Sequence, residues 1–370
     1  MKIIAAPGAF KHSLAAHEVA ACIADGLARS GLGATVLRLP IADGGNGTLD
    51  AFLMRGGQRR TLTVLDPLGR PVAADYGLID DGRTAVIEMA LASGLELLRD
   101  DEHAPLRATT YGTGQLMAAA LDAGADRIIV GMGGSATVDG GLGCLMALGV
   151  RALDASGTAL PNDAASLERI ATLDTTELDP RWHNVEVIIA SDVDNPTLGE
   201  QGAARVFGPQ KGASPAAVER LEASLSHFFG VVARDVGVDV RQTPGGGAAG
   251  ALSAGLMALL GGRIESGIDL ILDHAGFANH LRDAALVVTG EGRIDAQTVQ
   301  GKGPIGVARQ ARAAGVPVVA IVGGLEAPDE LFHEAGVSAV LPIVTGPMSL
   351  AEALERASEL VTRTALRLGY

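Results

Sequence analysis

The two ends of the chain share one sequence pattern. In this pattern, short runs of β-branched apolar residues alternate with amphipathic helical segments. Runs of this kind are typical of a parallel sheet that is covered on both faces. Ser13 is the predicted N-cap of the first helix, and a capping box at residues 349–352 opens the last one. The predicted strands are residues 2–6, 34–39, 286–289, 317–322 and 339–343.

The middle of the chain follows a different pattern. Residues 61–64, 72–78 and 84–89 predict three short strands joined by turn sequences, which indicates an antiparallel meander. Buried strands are predicted at 127–131 and 185–190, and Ser214-Pro215 opens a long amphipathic helix.

These two patterns predict an α/β protein with a flavodoxin-like, doubly wound parallel sheet that is split by an inserted second α/β domain. The first domain comprises residues 1–41 and 284–370, and the inserted mixed α/β domain comprises residues 42–283. Since ligands of multidomain α/β proteins commonly bind between domains, the cleft between them is the expected active site.

Composition narrows the class of protein. The chain has 370 residues, of which 48% are hydrophobic and 19% charged, with a formal net charge of -14. This acidity and the lack of a basic run argue against nucleic-acid binding. The longest apolar run, 248–260, is too short to span a bilayer, and no signal peptide opens the chain, so a cytoplasmic protein with no membrane partner is expected. A homodimer is compatible with the sequence.

Glycine is strongly enriched and clustered. There are 50 glycines in 370 residues, about twice the usual share of roughly 7%. The main clusters are residues 44–47, 131–143, 245–250 and 290–303. Clustered glycine indicates tight turns or close approach of backbone to a ligand, and such loops can bind phosphate groups.

Nucleotide-binding motifs give an ambiguous result. Gly301-Lys302 lacks the Walker A pattern, because Ala296 stands at the first glycine position and Gly303 at the Ser/Thr position. The segment 131–136 fits GxGxxA after a strand, with Asp154 at a distance suited to a ribose, but the helix begins too late. A second match at 245–250 has no strand before it. A nicotinamide-dependent oxidoreductase is therefore an alternative.

Charged residues gather in the glycine-rich loops and at strand ends. The acids are Asp43, Asp139, Asp192, Asp194, Glu291 and Asp295, and the basic residues are Lys11, Lys211, Arg293 and Lys302. Three of the four lysines lie in these loops, which favours contacts with phosphate or carboxylate groups. The sequence indicates an anionic substrate and a metal ion.

The chain resembles the type I glycerate kinase family over nearly its whole length. The N-terminal blocks are Ala6-Pro7 with Phe10-Lys11 and Ser13-Leu14, Ala42-Asp43-Gly44-Gly45 with Gly47-Thr48, and Ile87-Glu88-Met89-Ala90 with Ala92-Ser93-Gly94-Leu95. The later blocks are Gly133-Gly134-Ser135-Ala136-Thr137 with Asp139-Gly140-Gly141, Phe207-Gly208-Pro209-Gln210-Lys211-Gly212-Ala213, Thr289-Gly290-Glu291-Gly292-Arg293-Ile294-Asp295, and Gly301-Lys302 with Pro304-Ile305-Gly306-Val307-Ala308.

The resemblance implies a two-domain kinase that transfers the γ-phosphoryl group of ATP, with Mg²⁺, to D-glycerate and yields 2-phosphoglycerate. The residues expected to be catalytic are Lys11, Asp43, Asp192 and Arg293. Those expected to bind the substrate are Ser13, Gly44, Gly45, Asn46, Glu291 and Lys302. Those expected at the nucleotide are Gly133, Gly134, Ser135, Asp139 and Lys211, and the metal is expected at Asp192 and Asp295.

The chain departs from the family pattern within these blocks. Gly8, Asn46 and Gln115 stand where the family usually has a carboxylate, and Ala9 and Val138 replace a Ser and an Asn. Asn and Gln keep an acceptor oxygen but lose the charge. A related hydroxy-acid substrate, or a non-catalytic ligand-binding protein derived from a kinase, is therefore a further alternative.

Overall fold

The computed structural model describes residues 1–294, 303–326 and 328–370. The strands are β1 (Lys2–Pro7), β2 (Thr35–Arg38), β3 (Gln58–Leu65), β4 (Pro71–Ile79), β5 (Thr84–Glu88), β6 (Arg127–Gly131), β7 (Arg151–Leu153), β8 (Thr172–Asp174), β9 (Glu186–Ala190), β10 (Arg263–Glu265), β11 (Ala284–Ile294), β12 (Val318–Leu325) and β13 (Ala339–Pro342). The helices are α1 (Ala16–Arg29), α2 (Thr48–Leu53), α3 (Ala90–Ser93), α4 (Tyr111–Asp122), α5 (Leu142–Ala147), α6 (Ala203–Phe207), α7 (Pro215–Asp235), α8 (Ala248–Leu260), α9 (Gly267–His274), α10 (Phe277–Leu281), α11 (Gly303–Ala313), α12 (Asp329–Glu334), α13 (Leu350–Glu355) and α14 (Ala357–Leu368).

The chain forms two compact units. The first unit contains Met1–Asp43 and Gly267–Tyr370, and the second contains Gly44–Ser266. The sequence pattern placed the return to the first unit at residue 284, whereas α9 and α10 already belong to it. Gly306 of α11 lies directly against Ile268 of α9, and Arg309 is paired with Asp269, which ties α9 to the helix that follows β11.

The first unit is built on a parallel sheet of five strands in the order β13-β12-β11-β1-β2. This is the order expected for a flavodoxin-like, doubly wound sheet, and it confirms the predicted fold class. Ile3, Val288 and Ile321 of the strands pack with apolar residues of α1 and α14 in one buried cluster. The α/β pattern at the two ends of the chain therefore specifies a single sheet.

The second unit contains a mixed sheet of six strands in the order β10-β9-β6-β5-β4-β3, and a separate pair, β7 and β8. The pairs β3–β4 and β4–β5 are antiparallel, as the meander predicted, and β5, β6, β9 and β10 are parallel. One buried cluster joins Ile87, Val130 and Ile189 to helices α4 and α8, and another surrounds Phe228 and Phe229 of α7.

Two predictions about helices are wrong: the N-cap of the first helix and the continuity of the last helix. Helix α1 begins after Ala15, whose N–H donates to Glu18 Oε2 at 2.8 Å, and Ser13 instead donates to Phe10 O in a tight turn. The last helix is interrupted at Arg356, which bonds both Glu352 and Glu359, so α13 and α14 are separate. The predicted cap at Ser349 is confirmed by the bond from Glu352 N to Ser349 Oγ.

Strand β11 is longer than predicted. Gly290 and Gly292 favoured a loop after residue 289, but the strand continues to Ile294, and Glu291 and Arg293 pair with Val322 and Gly324 of β12. A Cβ on Gly290 would lie 1.8 Å from Ile321 O. Glycine inside a strand can mark close approach of a second backbone, and it does so here.

The part of the chain that the structure describes contains no helix that is both long enough and apolar enough to cross a membrane.

Candidate active site

The parallel strands of the second unit end in one row. Glu88, Gly131, Ala190 and Glu265 are the last residues of β5, β6, β9 and β10, and each is in register with its neighbour across the sheet. Ligands of open α/β sheets bind outside the carboxyl ends of the strands. We call this row and the loops that leave it the carboxyl edge of the six-stranded sheet.

The glycine-rich segment that precedes α2 lies directly on this edge. A Cβ on Gly44, whose φ is 86°, would lie 2.4 Å from Ala190 O, and Gly133 N donates to Gly44 O at 2.9 Å. A Cβ on Gly134 would lie 2.6 Å from Asn46 Oδ1. The structure therefore brings the expected substrate residues Gly44, Gly45 and Asn46 together with the expected nucleotide residues Gly133 and Gly134.

Glu88 is a buried carboxylate beneath this segment, with only 4% of its surface exposed. Its two oxygens accept hydrogen bonds from Gly47 N at 3.1 and 3.2 Å, and Oε2 also accepts one from Leu49 N at 3.2 Å. Burial raises the pKa of Glu88 to about 7, although these backbone N–H groups oppose the shift. No role was predicted for Glu88; the available signal was an acid that ends a fully buried strand, which is a rare position for Glu.

Asp139 is fully buried and anchors the loop that follows β6. Its carboxylate accepts hydrogen bonds from Thr110 N and Oγ1, both at 2.8 Å, from Gly141 N at 3.1 Å and from Gly143 N at 3.2 Å. Burial raises the pKa of Asp139, and the four donors oppose this. Since its oxygens are occupied by groups of the protein, Asp139 shapes the loop and the first turn of α5.

Lys211 is buried on the other side of the same loop, with 2% of its surface exposed. Its Nζ donates to Ser135 Oγ and to Thr137 O, each at 2.7 Å. Burial lowers the pKa of Lys211 to about 7, and the charge of Asp139 opposes the shift. Ser135 and Lys211, both expected at the nucleotide, are thus in direct contact.

A left-handed turn at residues 249–251 packs against the loop that follows β6. Ala249, Gly250 and Ala251 have φ of 54°, 64° and 68°, a conformation that L-residues such as alanine adopt at a cost. Gly250 O accepts a hydrogen bond from Gly140 N at 3.0 Å, and a Cβ on Gly250 would lie 1.9 Å from Thr137 O. The second glycine motif of the sequence therefore serves to brace a loop.

Just before that turn, the chain also contacts the loop that carries Asp192. Gly247 N donates to Asn195 O at 2.9 Å, and a Cβ on Gly245 would lie 3.2 Å from Val193 O. Asp192 follows β9 directly and is half-buried, while Asp194 is exposed. The segment 245–251 thus holds two loops of the carboxyl edge in place.

In the first unit, the residues after β1 and those at the end of β11 lie against each other. Gly8 N donates to Gly290 O at 2.8 Å, and a Cβ on Gly292 would lie 3.2 Å from Lys11 N. Lys11 is exposed, and Ser13 closes the turn that carries it. Asp43, the last residue of the first segment of this unit, is half-buried.

Arg293 and Glu291 share one face of β11, because residues two apart on a strand point the same way. Arg293 is exposed over 65% of its side chain and is ion-paired with Glu326, which follows β12. Glu291 is half-buried. Asp295 and Lys302, which were predicted for the metal and the substrate, lie outside the described residues.

A magnesium site fits some of these carboxylates and not others. Among residues 1–294, 303–326 and 328–370, no group of three or more His, Cys, Asp or Glu side chains is placed to hold a metal. Mg²⁺ needs only one or two carboxylates when phosphate groups and water supply the other ligands. The oxygens of Glu88 and Asp139 are occupied by donors of the protein, mainly backbone N–H groups, which does not fit such a site. Asp192 is half-buried and lies two residues after β9, a position that fits a carboxylate ligand of Mg²⁺.

Two of the departures from the family pattern, Gln115 and Val138, take part in hydrogen bonding or packing within the second unit. Gln115 Oε1 accepts a hydrogen bond from Leu65 N at 2.8 Å at the end of β3, and Val138 is fully buried in the cluster around Phe228. Asn46 is exposed and Gly8 is half-buried. Ala9 is half-buried as well, so the departures at Gly8, Ala9 and Asn46 alter the solvent-facing surface of the loops.

The fold and these loops define an α/β enzyme with glycine-lined, charged loops at the carboxyl ends of its parallel strands, suited to an anionic ligand. The family model described as the glycerate kinase family matches residues 3–369. The chain belongs to the glycerate kinase family, and it is a kinase.

Individual relatives agree with this assignment. A glycerate kinase of Bacillus subtilis is 46% identical over 366 residues, covering 99% of this chain and 96% of the relative. A glycerate 2-kinase of Escherichia coli is 43% identical over 366 residues, with the same two coverages of 99% and 96%. A crystal structure described as a glycerate kinase 2 of Salmonella typhimurium LT2 matches with a TM-score of 0.86 and 44% identity, covering 100% of this chain and 97% of that one.

Proposed function

We propose that the protein transfers the γ-phosphoryl group of ATP, with Mg²⁺, to the 2-hydroxyl group of D-glycerate or a closely related small hydroxy acid, and that it does so in the cytoplasm. The observation that carries the proposal is the 43% identity over 366 residues with a relative named glycerate 2-kinase. The nicotinamide-dependent alternative is disfavoured, because α5 begins only at Leu142, too late for a dinucleotide fingerprint at 131–136.

Lys11 and Arg293 are proposed to bind the substrate carboxylate or the transferred phosphoryl group. Both are exposed cations at the carboxyl ends of neighbouring strands, and a guanidinium binds carboxylate or phosphate through two parallel hydrogen bonds. The ion pair of Arg293 with Glu326 supports this role, because a bound anion can replace the exposed carboxylate. Ser13, Glu291 and Lys302 are proposed to complete the contacts with the acid.

Asp43 and Asp192 are proposed to orient the attacking hydroxyl group. Phosphoryl transfer depends mainly on positioning and on electrostatic stabilisation. A carboxylate that accepts a hydrogen bond from the attacking hydroxyl group is therefore sufficient to orient it. Both residues are half-buried, which limits their motion but leaves them accessible.

Asp192 and Asp295 are the proposed ligands of Mg²⁺. When bound, the ion would neutralise charge on the phosphate oxygens of ATP and fix their geometry. Glu88 and Asp139 are excluded from direct coordination by the backbone donors that occupy their oxygens.

The loop with Gly133, Gly134 and Ser135 is the proposed nucleotide side. Lys211 is assigned to the support of this loop rather than to a phosphate contact, since its amine is buried and donates to Ser135 and Thr137. Gly44, Gly45 and Asn46 are the proposed acid-binding segment on the same carboxyl edge.

The test is an ADP-release assay with D-glycerate, L-glycerate and a panel of other small hydroxy acids, with and without Mg²⁺. We expect D-glycerate to give the highest kcat/KM and chelation of Mg²⁺ to abolish turnover. ³¹P NMR of the product distinguishes a phosphate on the 2-hydroxyl from one on the 3-hydroxyl. Absence of ATP turnover with every acid contradicts the proposal and favours a non-catalytic ligand-binding protein.

A further inference from the structure

The segment that carries Gly44, Gly45 and Asn46 leads into α2, a helix without a cap of its own. The N-cap position is Gly47, which has φ of 89° and no side chain to accept a hydrogen bond from the first turn. Uncapped N–H groups of a buried helix start need an acceptor from elsewhere. Leu49, in this first turn, is itself buried.

Glu88 supplies the missing acceptors from a strand that lies 41 residues further along the chain. Its oxygens accept from Gly47 N and its Oε2 also accepts from Leu49 N. The charges of two acidic residues, Asp50 and Glu96, also raise the pKa of Glu88. Hydrogen bonds from backbone N–H groups therefore hold the carboxylate of Glu88. These bonds all come from the start of α2.

The same segment is fitted closely to the carboxyl edge. Gly44 O accepts from Gly133 N at 2.9 Å, and Asn46 Oδ1 lies against Gly134. Any shift of Gly47 is thus passed to the backbone that faces the end of β6. Thr48 Oγ1 also donates to Gly45 O at 2.6 Å within the segment, and Glu88 reaches the segment from strand β5 through Gly47 and Leu49.

We propose that Glu88 is a positioning residue for the acid-binding segment, which holds Gly44, Gly45 and Asn46 in the geometry that binds the substrate. This inference rests on the proposed function, because it takes that segment as the binding site of the acid. Glu88 itself does not touch the substrate, since it is 96% buried by its neighbours and its oxygens are occupied.

The charge of Glu88 changes in the neutral range, because burial raises its pKa to about 7. Ionised Glu88 accepts stronger hydrogen bonds from Gly47 and Leu49 than the neutral acid does. Binding of the acid should therefore tighten as pH rises through about 7. The facing charged groups, Asp50 and Glu96, are exposed acids.

The test compares wild type with Glu88→Gln and with Glu96→Gln as a matched control on an exposed acid of the same region. We expect Glu88→Gln to raise KM for D-glycerate roughly tenfold while kcat changes less than about threefold, which is the effect of lost uniform binding. The pH dependence of KM near pH 7 should disappear in Glu88→Gln and persist in Glu96→Gln. Should Glu88→Gln fail to fold, Glu88→Asp, which keeps the charge but shortens the reach, carries the same KM test.

Amide hydrogen exchange gives a readout that does not depend on turnover. We expect exchange at Gly47 and Leu49 to speed up at least tenfold in Glu88→Gln and to stay unchanged in Glu96→Gln. An unchanged KM, or a fall in kcat at unchanged KM, overturns the inference even if exchange is faster. If wild type phosphorylates no acid, the proposed function fails by itself, and unchanged exchange in Glu88→Gln then overturns the positioning role separately.

Discussion

The carboxyl edges of the two sheets use their charged residues in opposite ways. In the five-stranded sheet, Lys11 and Arg293 are exposed, and the partner of Arg293 is another exposed side chain, Glu326. In the six-stranded sheet, Glu88, Asp139 and Lys211 are buried, and their partners are mainly backbone groups.

This contrast separates charged side chains that are available to bind a ligand from charged side chains that hold the loops in their conformation. An exposed ion pair contributes little to stability, because water and salt screen it, so its charges are available for a ligand. A buried charge must be satisfied by the protein itself, and removal of its partner is costly. Substitutions of the exposed charges should therefore change activity with little change in stability, whereas substitutions of the buried charges should change stability as well.

The largest effect is expected from Asp139→Asn. The amide replaces one of the two acceptor oxygens with an NH₂ group that faces the donors, so at least one of the four donors loses its partner and meets another donor. We expect the free energy of unfolding to fall by about 3 kcal/mol or more, as measured by urea denaturation. Asp122→Asn, in an exposed pair with Arg181, is the control and should cost less than about 1 kcal/mol. Equal costs would remove the contrast between the two edges.

Arg293→Ala tests the first edge. We expect kcat/KM to drop roughly a hundredfold or more, since the cation proposed to bind the substrate carboxylate or the transferred phosphoryl group is lost. The free energy of unfolding should change by less than about 1 kcal/mol, because the ion pair with Glu326 is exposed. The matched control is Arg83→Ala, an arginine exposed over 74% of its side chain and paired with Asp126. Full activity of Arg293→Ala would place the anion site elsewhere.

The variant Lys211→Met tests the buried charge through the pH dependence of the free energy of unfolding. The pKa of Lys211 is lowered from 10.5 to about 7 by burial, so between these values the unfolded chain binds more protons than the folded one. Stability from this group is complete above pH 10.5 and is lost as pH falls to about 7. We expect wild type to gain stability relative to Lys211→Met as pH is raised from 7 to 9, by at most about 1.4 kcal/mol per pH unit. Urea denaturation at both pH values measures it, and a free energy of unfolding of wild type that falls relative to that of Lys211→Met as pH rises contradicts the prediction.

The smallest effect is expected from Gln115→Glu, which restores the usual acid of the family. The half-buried Gln115 accepts a hydrogen bond from Leu65 N, and a carboxylate oxygen can accept the same hydrogen bond. We expect kcat/KM to stay within about twofold and stability within about 1 kcal/mol. The comparison variant Gln115→Leu leaves Leu65 N without an acceptor and should cost about 1–3 kcal/mol. A large gain in activity for Gln115→Glu would show that this position reaches the ligand.

Much of the fold was predictable from local patterns. The β-branched runs gave the five strands of the first sheet and, with the βα rhythm, their order. Errors arose where tertiary contacts overrode a local signal. Ser13 lost its cap role to the turn between Phe10 and Leu14, and the glycines of β11 served close strand packing instead of a loop.

The positions of the glycine-rich loops were predictable, and the structure brings Gly44, Gly133 and Gly134 together at one carboxyl edge. Which residues bind the acid, the nucleotide or the metal stays a prediction. Burial of Lys211 and Asp139 depends on segments 76 and 29 residues away, which no local pattern reveals. Glu88 was overlooked for the same reason, since its partners belong to the start of another helix.

The left-handed turn at Ala249–Ala251 has a consequence for the order of folding. The bond from Gly140 N to Gly250 O closes a loop of about 110 residues, whereas the strand pairs β3–β4 and β4–β5 form between near neighbours. Long-range contacts of this kind form slowly, because loop closure costs entropy before the contact is made. We expect the loops after β6 and β9 to become ordered only once the start of α8 has docked. During synthesis the loops of this carboxyl edge would then become ordered only after strands β3 to β9 of the sheet beneath them have been made.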